Sequence, residues 1–364
     1  MNILIITTHL NPGGIASYVV SLAKGLKKKN HSIFIASSGG EWVETLKKEK
    51  IKHFDIDIAT KSDLSPKILF CLKKLSKIIR ENKIQIIHAQ TRVTQVLSFW
   101  LYKFYGIPYV CTCHGFFRPR FHRIIFPCWG KKVIAISQAV RRHLSEDLKV
   151  KYEDIELIYN GLDMRDYPEY TQSQIDDYKK WIGLGDGPVI GNIARLSTVK
   201  GQNHLIAAMK DVVARFPSAQ LLFIGDGKIK QDLINQAHDL ELSNNIFFIP
   251  SVDQTASVLA VMDVFVMSSL QEGLGLSIME AQAMGLAVIA TFVGGIPELI
   301  EDNKTGILIP PQDPEIIAKA IISLLENKQR AKQLGENAKR SIRDNFSLDK
   351  MSNETEKLYR SVIS

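Results

Sequence analysis

The sequence predicts an α/β protein built from two parallel, doubly wound sheets, and three observations support this fold class. Short apolar runs of strand length alternate with segments of helical periodicity along the 364 residues. The alternation restarts at residue 189, after a stretch that contains Gly183, Gly185, Gly187 and Pro188. A chain of this length also has room for two domains, each with its own core.

The first half carries six apolar runs of strand length with helical patterns between them. The strands are predicted at residues 2–7, 32–36, 53–56, 85–89, 109–112 and 133–136. The helices are predicted at residues 15–29, 41–50, 66–82, 92–105 and 138–144. Since parallel sheets bind ligands beyond the carboxyl ends of their strands, polar loop residues should gather at that edge. Those residues are His9, Gln90, Thr91, His114, Gly115, Ser137 and Gln138.

The second half repeats the pattern. Its strands are predicted at residues 189–194, 220–225, 246–249, 263–267, 287–290 and 306–311. Its helices are predicted to begin near residue 201 and to cover residues 276–285, 314–326, 330–345 and 348–363. Arg195 follows the first of these strands, and Lys200 stands just before the next helix. Two cations beyond a strand end suit an anionic ligand, although an exposed Arg/Lys pair alone means little.

The most informative stretch is 272–295, EGLGLSIMEAQAMGLAVIATFVGG, whose pattern predicts a glycine turn, a helix and a strand. Glu272 stands in the turn and Glu280 about one turn into the helix. Free N–H groups and the positive dipole end of a helix attract an anion, and Glu280 could accept hydrogen bonds from a neighbouring diol. An anion between two such carboxylates describes a nucleotide-sugar. On spacing alone, an ordinary unit with two surface glutamates fits as well.

The full stretch resembles the donor-site signature of the retaining glycosyltransferases of family four, E-G-[FL]-G-L-x-x-x-E-A-x-A-x-G followed by a strand and G-G-[IV]-x-E. The matching residues are Glu272, Gly273, Gly275, Leu276, Glu280, Ala281, Ala283, Gly285, Gly294, Gly295, Ile296, Pro297 and Glu298. The resemblance extends over nearly the whole chain. It is strong over residues 189–313 and weak over residues 40–108, where acceptor choice usually resides.

The resemblance implies the GT-B fold, in which two Rossmann-like domains face each other across a cleft. It implies an acceptor-side domain of residues 1–165 and a nucleotide-sugar domain of residues 166–346. The C-terminal helix, residues 347–364, would cross back and pack on the first domain.

The resemblance also assigns roles to residues. Arg195 and Lys200 would hold the donor diphosphate, and Glu280 would hold the ribose diol. Glu272 would hold the sugar hydroxyls, and His114 would face the donor sugar and the acceptor. The predicted catalytic residues are thus Glu272, His114, Arg195 and Lys200. The other predicted substrate-binding residues are Gly13, Gly14, Gly225, Gly273, Leu274, Gly275, Leu276, Ser277 and Glu280. In the family's front-face mechanism the leaving phosphate assists deprotonation of the acceptor, and no metal or other cofactor is expected.

The net charge of +8 is unevenly distributed. Residues 1–160 contain 26 Lys and Arg against 12 Asp and Glu, whereas the remainder is mildly acidic. Such a basic half attracts anionic lipid, an anionic acceptor or nucleic acid. Of these three, we do not expect nucleic acid to be a partner. Residues 116–132 interleave aromatic and basic side chains, and residues 61–83 add basic residues at helical spacing. Both segments fit either an acceptor-binding or membrane-touching surface or a loop and helix packed beneath the cleft.

The remaining signals concern metals and compartment. Cys111, Cys113 and His114 suggest a metal site, but successive strand residues point to opposite faces, and the Asp55-Ile56-Asp57 sequence is interpreted as surface charge. The four cysteines predict no disulfide framework. No apolar run reaches the roughly 18 residues of a membrane span, and no secretory signal precedes the first strand. We expect a cytoplasmic protein, either free or peripheral on the inner face of the cytoplasmic membrane.

The expected function is transfer of a sugar from a nucleoside-diphosphate sugar, preferably a UDP-sugar, to a hydroxyl of a bacterial cell-envelope glycan or glycolipid. A soluble small-molecule acceptor is the alternative within this class. Outside it, the alternatives are a GT-B epimerase and a nucleotide-binding module that has lost catalysis. The family-four spacing argues against the epimerase, and the retained Arg195, Lys200, Glu272 and Glu280 argue against the inactive module.

Overall fold

The structure, a computed structural model, describes residues 1–60, 67–118 and 121–363. The chain forms two compact units, one of Met1–Gly161 with Leu348–Ser364 and the other of Leu162–Ser347. Each unit is built on one parallel sheet, which confirms the predicted fold class. Parts of the two basic segments, residues 61–66 and 119–120, lie outside the described residues.

The first unit contains a seven-stranded sheet. Its strands are β1 Asn2–Ile6, β2 Ser32–Ser37, β3 Lys52–Asp55, β4 Ile86–Ala89, β5 Tyr109–Cys113, β6 Lys132–Ala135 and β7 Ile155–Leu157. They are parallel, in the order β3-β2-β1-β4-β5-β6-β7. All residues of β4 and β5 are buried, as expected for central strands that helices cover.

The helices of this unit follow the strands in sequence. They are α1 Gly14–Lys28, α2 Trp42–Lys48, α3 Lys67–Glu81, α4 Arg92–Tyr105, α5 Phe121–Ile125 and α6 Gln138–Glu146. Ser137 caps α6, because its hydroxyl accepts a hydrogen bond from the N–H of Val140. The sequence-based prediction missed the strand β7 and the helix α5, which is shorter than two helical turns.

The second unit contains a six-stranded parallel sheet. Its strands are β8 Val189–Ile193, β9 Gln220–Ile224, β10 Ile246–Ile249, β11 Val264–Met267, β12 Ala287–Thr291 and β13 Ile307–Ile309. Their order is β10-β9-β8-β11-β12-β13. The helices are α7 Gln172–Ile182, α8 Gln202–Arg215, α9 Lys230–Asp239, α10 Ala256–Leu259, α11 Leu276–Ala283, α12 Pro314–Glu326 and α13 Lys328–Asn345. Helices α9 and α10 were not predicted.

The last helix, α14 (Leu348–Ile363), belongs to the first unit and packs on α1. Gly25 of α1 permits the close approach, because a Cβ at that position would lie 2.0 Å from the hydroxyl oxygen of Ser352. Tyr359 is fully buried, and its hydroxyl lies 2.6 Å from Nδ1 of His88 on β4. The C-terminal helix therefore completes the core of the N-terminal unit.

Two further observations concern the helices and the cysteines. Among the described residues, none of the helices combines the length and the apolar character that crossing a membrane requires. Cys71, Cys111, Cys113 and Cys128 are buried free thiols.

Candidate active site

Lys200 and Glu272 meet at the carboxyl edge of the second sheet. The chain leaves β8 toward β9 on one side and leaves β11 toward β12 on the other. Adjacent strands whose connections diverge in this way leave a crevice beyond their carboxyl ends, which is where open α/β sheets bind ligands. The loop after β8 carries Lys200 and the loop after β11 carries Glu272.

The turn between β11 and α11 exposes a helix N-terminus. Gly275, the N-cap residue, has φ 107°, a left-handed conformation that favours glycine. The N–H groups of Ile278 and Met279 donate to its carbonyl. Within the described part of the chain, the N–H groups of Leu276 and Ser277 have no acceptor. This end of α11 is therefore suited to an anion.

Lys200 and Glu272 form a largely buried ion pair beside that helix end. The ammonium group of Lys200 contacts Oε2 of Glu272, and the two side chains are only 20% and 14% exposed. The same carboxylate oxygen accepts a hydrogen bond from the hydroxyl of Ser269 (3.3 Å). The carbonyl of Lys200 accepts from the hydroxyl of Ser268 (3.1 Å), which ties the Lys200 loop to the loop after β11.

Glycines set the position of the loop that carries Arg195. A Cβ at Gly225, which has φ 144°, would lie 2.2 Å from the carbonyl oxygen of Ala194, and one at Gly227 would lie 1.9 Å from that of Leu196. The side-chain amide of Gln202 donates to the carbonyl of Arg195 (3.1 Å). Gly225 thus allows two loops to pack, and the Arg195 side chain remains exposed.

Glu280 lies about one turn into α11 in a buried polar cluster. It is 8% exposed, and the hydroxyls of Tyr167 and Thr255 donate hydrogen bonds to its carboxyl group. Burial raises the pKa of Glu280 from its usual 4.5 to about 7, although these two hydrogen bonds oppose the rise. The carboxyl group therefore titrates near neutral pH.

This raised pKa predicts a pH-dependent stability for the ligand-free protein. The folded pKa of Glu280 exceeds the unfolded one, so the native state binds more protons and its stability falls as pH rises from about 4.5 to about 7. We expect Glu280→Gln to remove this dependence and to gain roughly 2–3 kcal/mol relative to wild type at pH 8. Urea unfolding at pH 5 and pH 8 measures it. Glu336→Gln, which changes an exposed carboxylate, is the control and should keep the pH dependence of wild type. If stability depends on pH equally in wild type and Glu280→Gln, the raised pKa of Glu280 is contradicted.

The first sheet has a comparable edge in its own unit. β1 and β4 are neighbours whose connections diverge, and the hydroxyls of Thr8 and Thr91 beyond them are 3.0 Å apart. Gly13, at φ 149°, and Gly14 begin α1, and a Cβ on either would meet nothing within 4 Å. The predicted glycine pair therefore lies in an open part of this edge.

His114 follows β5 and rests on a buried chain of polar groups. Its Nε2 lies 2.8 Å from Oε1 of Gln90, and its ring packs edge-on against Tyr18 at 4.8 Å. Burial lowers the pKa of His114 to about 3, so its imidazole is neutral at physiological pH. The Tyr18 hydroxyl is 3.3 Å from that of Thr112, which is 2.7 Å from Nε2 of His88. The other ring nitrogen of His88 contacts the hydroxyl of Tyr359 on α14. These contacts therefore connect α14 to Tyr18, on which His114 packs.

The structure thus separates the predicted residues into groups. Lys200 and Glu272 meet at the end of α11, and Glu280 lies one turn further along. Leu274 is buried, at 1% exposed, whereas Leu276 and Ser277 are half-exposed. Gly13, Gly14 and His114 lie in the first unit. The roles of all these residues stay predictions.

Sequence reasoning missed the partners of these residues. Tyr167 and Thr255 beside Glu280, and Tyr18, His88 and Tyr359 behind His114, belong to no motif and lie far along the chain from the groups they contact. Among the described residues, no cluster of three or more His, Cys, Asp or Glu could hold a metal ion.

Two family models match adjoining parts of the chain. The model described as Glycosyltransferase Family 4 matches residues 12–166, and the model described as Glycosyl transferases group 1 matches residues 174–341. The chain belongs to the family-four glycosyltransferases. The predicted membership and the assignment as a transferase enzyme are therefore confirmed, and the two parallel-sheet units correspond to a GT-B fold.

Three comparisons describe the relatives of this glycosyltransferase. An N-acetyl-alpha-D-glucosaminyl L-malate synthase from Bacillus anthracis is 26% identical, over 98% of this chain and 96% of that protein. A GDP-mannose-dependent alpha-(1-6)-phosphatidylinositol monomannoside mannosyltransferase from Mycolicibacterium smegmatis is 34% identical, over 45% of each chain. The crystal structure of HepE from Anabaena in complex with UDP-glucose superposes with a TM-score of 0.87 at 23% identity, covering 99% of this chain and all of that one.

Proposed function

We propose that the protein transfers a sugar from a UDP-sugar, with retention of anomeric configuration, to a hydroxyl of a bacterial cell-envelope glycan or glycolipid. The observation that carries the donor assignment is the Lys200–Glu272 ion pair beside the unpaired N–H groups of Leu276 and Ser277, with Glu280 one turn further along α11. The bound UDP-glucose of the Anabaena structure supports the choice of UDP.

In this proposal the protein stabilises the leaving diphosphate with preorganised positive groups. Lys200 and the two N–H groups bind the phosphate oxygens, and the exposed Arg195 can fork onto two of them. Glu280 accepts hydrogen bonds from the ribose diol, and Glu272 from the sugar hydroxyls. The site supplies cations of its own for the diphosphate, so we propose that the reaction requires no metal ion.

The acceptor is the less constrained part of the proposal. The basic first half of the chain and the lipid-linked substrate in the name of the Mycolicibacterium relative favour an anionic glycolipid. The Bacillus anthracis relative favours a second candidate, a small hydroxy acid, because its printed name specifies malate and it aligns over nearly the whole chain. In either case we propose that the enzyme acts on the cytoplasmic side of the membrane.

The assignment of Glu272 and His114 to the sugar and the reacting centre predicts a split between binding and turnover. We expect Glu272→Ala and His114→Ala to bind UDP within about threefold of wild type, while turnover falls about 100-fold or more. Glu280→Ala should instead weaken UDP binding about ten- to hundred-fold, through loss of charge-assisted hydrogen bonds. Calorimetry with UDP and steady-state kinetics in EDTA measure both effects. Loss of UDP affinity in Glu272→Ala equal to that in Glu280→Ala would contradict the role of Glu272.

The two acceptor candidates are distinguished by product formation. UDP release from UDP-sugars would be measured with L-malate, with a lipid-linked glycan and without acceptor, and the anomeric configuration of the product would be read by NMR. Acceptor-dependent release with the glycan and not with malate supports the proposal. Release with malate alone would establish the second candidate, and an inverted product would contradict retention.

A further inference from the structure

The end of α4 and the end of α5 expose large apolar side chains on the first unit. Trp100, Tyr102, Phe104 and Tyr105 are 37–63% exposed on the last two turns of α4. Ile124 and Ile125 at the end of α5 are 42% and 65% exposed. We call these six residues the aromatic face. Scattered exposed apolar residues are normal, but a group of this size on neighbouring elements indicates an interaction surface.

The aromatic face is held together by ring contacts. Trp100 stacks on Phe104 with centroids 5.5 Å apart, and Phe126 packs against Trp100 at 6.3 Å. Phe126 also meets Phe99 edge-on at 4.8 Å. The guanidinium of Arg92 donates to the carbonyl of Phe126 (2.6 Å) and so fixes the segment after α5 against α4. Trp100 and Phe104 are thus held in place by each other and by Phe126.

The charge around this face is predominantly positive. Residues 82–145, which include α4 and α5, contain ten Lys and Arg and no Asp or Glu. The neighbouring helix α3 packs against α4. Among its described side chains, the exposed ones are Lys67, Phe70, Lys73, Lys74, Lys77, Arg80 and Glu81, so five cations stand against one carboxylate. A helix with apolar residues inward and cations around an exposed phenylalanine is typical of helices that lie on anionic lipid.

We propose that the aromatic face, flanked by the cationic surface of α3, docks the enzyme onto an anionic phospholipid surface. Trp and Tyr favour the headgroup region of a bilayer, because their rings are apolar and their N–H or O–H group can bond to water. The surrounding Lys and Arg side chains meet lipid phosphates, and their stems add apolar contact. A second copy of the chain is a poorer occupant, because the same face would bring the same positive charge.

Vesicle cosedimentation of the full chain tests this proposal without donor or acceptor, so it does not depend on the proposed reaction. We expect binding to vesicles of phosphatidylcholine with phosphatidylglycerol at low salt, and at least tenfold weaker binding to pure phosphatidylcholine. Raising the salt concentration should weaken the first interaction. Trp100→Ser with Phe104→Ser should lower the affinity for anionic vesicles at least tenfold. The matched control is Trp181→Ser, which removes a 66% exposed tryptophan from α7 in the other unit.

A second variant tests the proposal in case the Trp100/Phe104 variant misfolds. Lys103→Glu reverses an exposed charge on α4 and should also lower vesicle affinity about tenfold, whereas Lys210→Glu on α8 should not. Thermal unfolding midpoints close to that of wild type verify the fold of each variant. Wild-type protein that stays in the supernatant, or equal binding by wild type and the Trp100/Phe104 variant, overturns the proposal. A wild-type dimer in sedimentation velocity that the same variant dissociates would assign the face to a second copy instead.

Discussion

Lys200→Ala is expected to weaken UDP binding by at least about 100-fold, roughly 3 kcal/mol. Two losses combine. The diphosphate loses a charged hydrogen-bond donor, and the carboxylate of Glu272, only 14% exposed, loses its cationic partner and keeps, among the described residues, only the hydroxyl of Ser269. A largely buried carboxylate without a neighbouring cation adds like-charge repulsion to the diphosphate, because the surroundings screen it weakly. The effect should therefore exceed that of Arg195→Ala, whose side chain is exposed and is expected to contribute ten- to hundred-fold.

The double variant Lys200→Ala with Glu272→Gln separates these two losses. Removing the uncompensated charge should restore UDP affinity about tenfold over Lys200→Ala alone, while the contribution of the ammonium group stays lost. Isothermal titration calorimetry at fixed ionic strength measures each affinity. Lys210→Ala, an exposed lysine on α8, serves as control and should bind UDP like wild type. UDP affinity of Lys200→Ala within threefold of wild type would refute the proposed diphosphate site.

Gly294→Ala is expected to destabilise the second unit by about 3–5 kcal/mol and to abolish most turnover. Gly294 follows β12 and has φ 55°, which disfavours a side chain. A Cβ there would lie 1.9 Å from the carbonyl oxygen of Glu272 and 3.0 Å from its carbonyl carbon. Because these are main-chain atoms, no side-chain rotation relieves the clash. The N–H of Gly295 donates to the same carbonyl (3.1 Å), so the loop after β12 determines the position of Glu272.

Gly185→Ala provides the matched control in the same unit. A Cβ at Gly185 would meet only the side-chain oxygen of Gln220 at 3.8 Å, an ordinary contact. Urea unfolding would compare the two variants with wild type, and UDP binding would report on the folded fraction. Stability of Gly294→Ala within 1 kcal/mol of wild type would show that the two loops do not pack as described.

Local sequence signals were sufficient for most of the secondary structure. The predicted bounds of α4, β10 and α12 agree with the structure to the residue, because each combines a clear apolar period with a defined start and stop. α4, for example, begins after Thr91 and ends at Gly106, which has φ 70°. The strand β7 and the helices α5, α9 and α10 were missed. The helices α5 and α10 are shorter than two turns, so no helical period can be recognised in them.

The sequence by itself determined the glycine turn and the helix of residues 272–285, because they form one continuous segment with a clear local pattern. The donor-side roles of its residues stay predictions. Only the tertiary structure decided which groups meet. Lys200 pairs with Glu272 from 72 residues away, and Tyr359 reaches His88 across 271 residues. Burial in the folded second unit raises the pKa of Glu280, and Tyr167 and Thr255, both distant in sequence, oppose that rise. The physical reason is that strand order and helix packing place these groups together, and both arise from burial of the whole core and not from any local pattern.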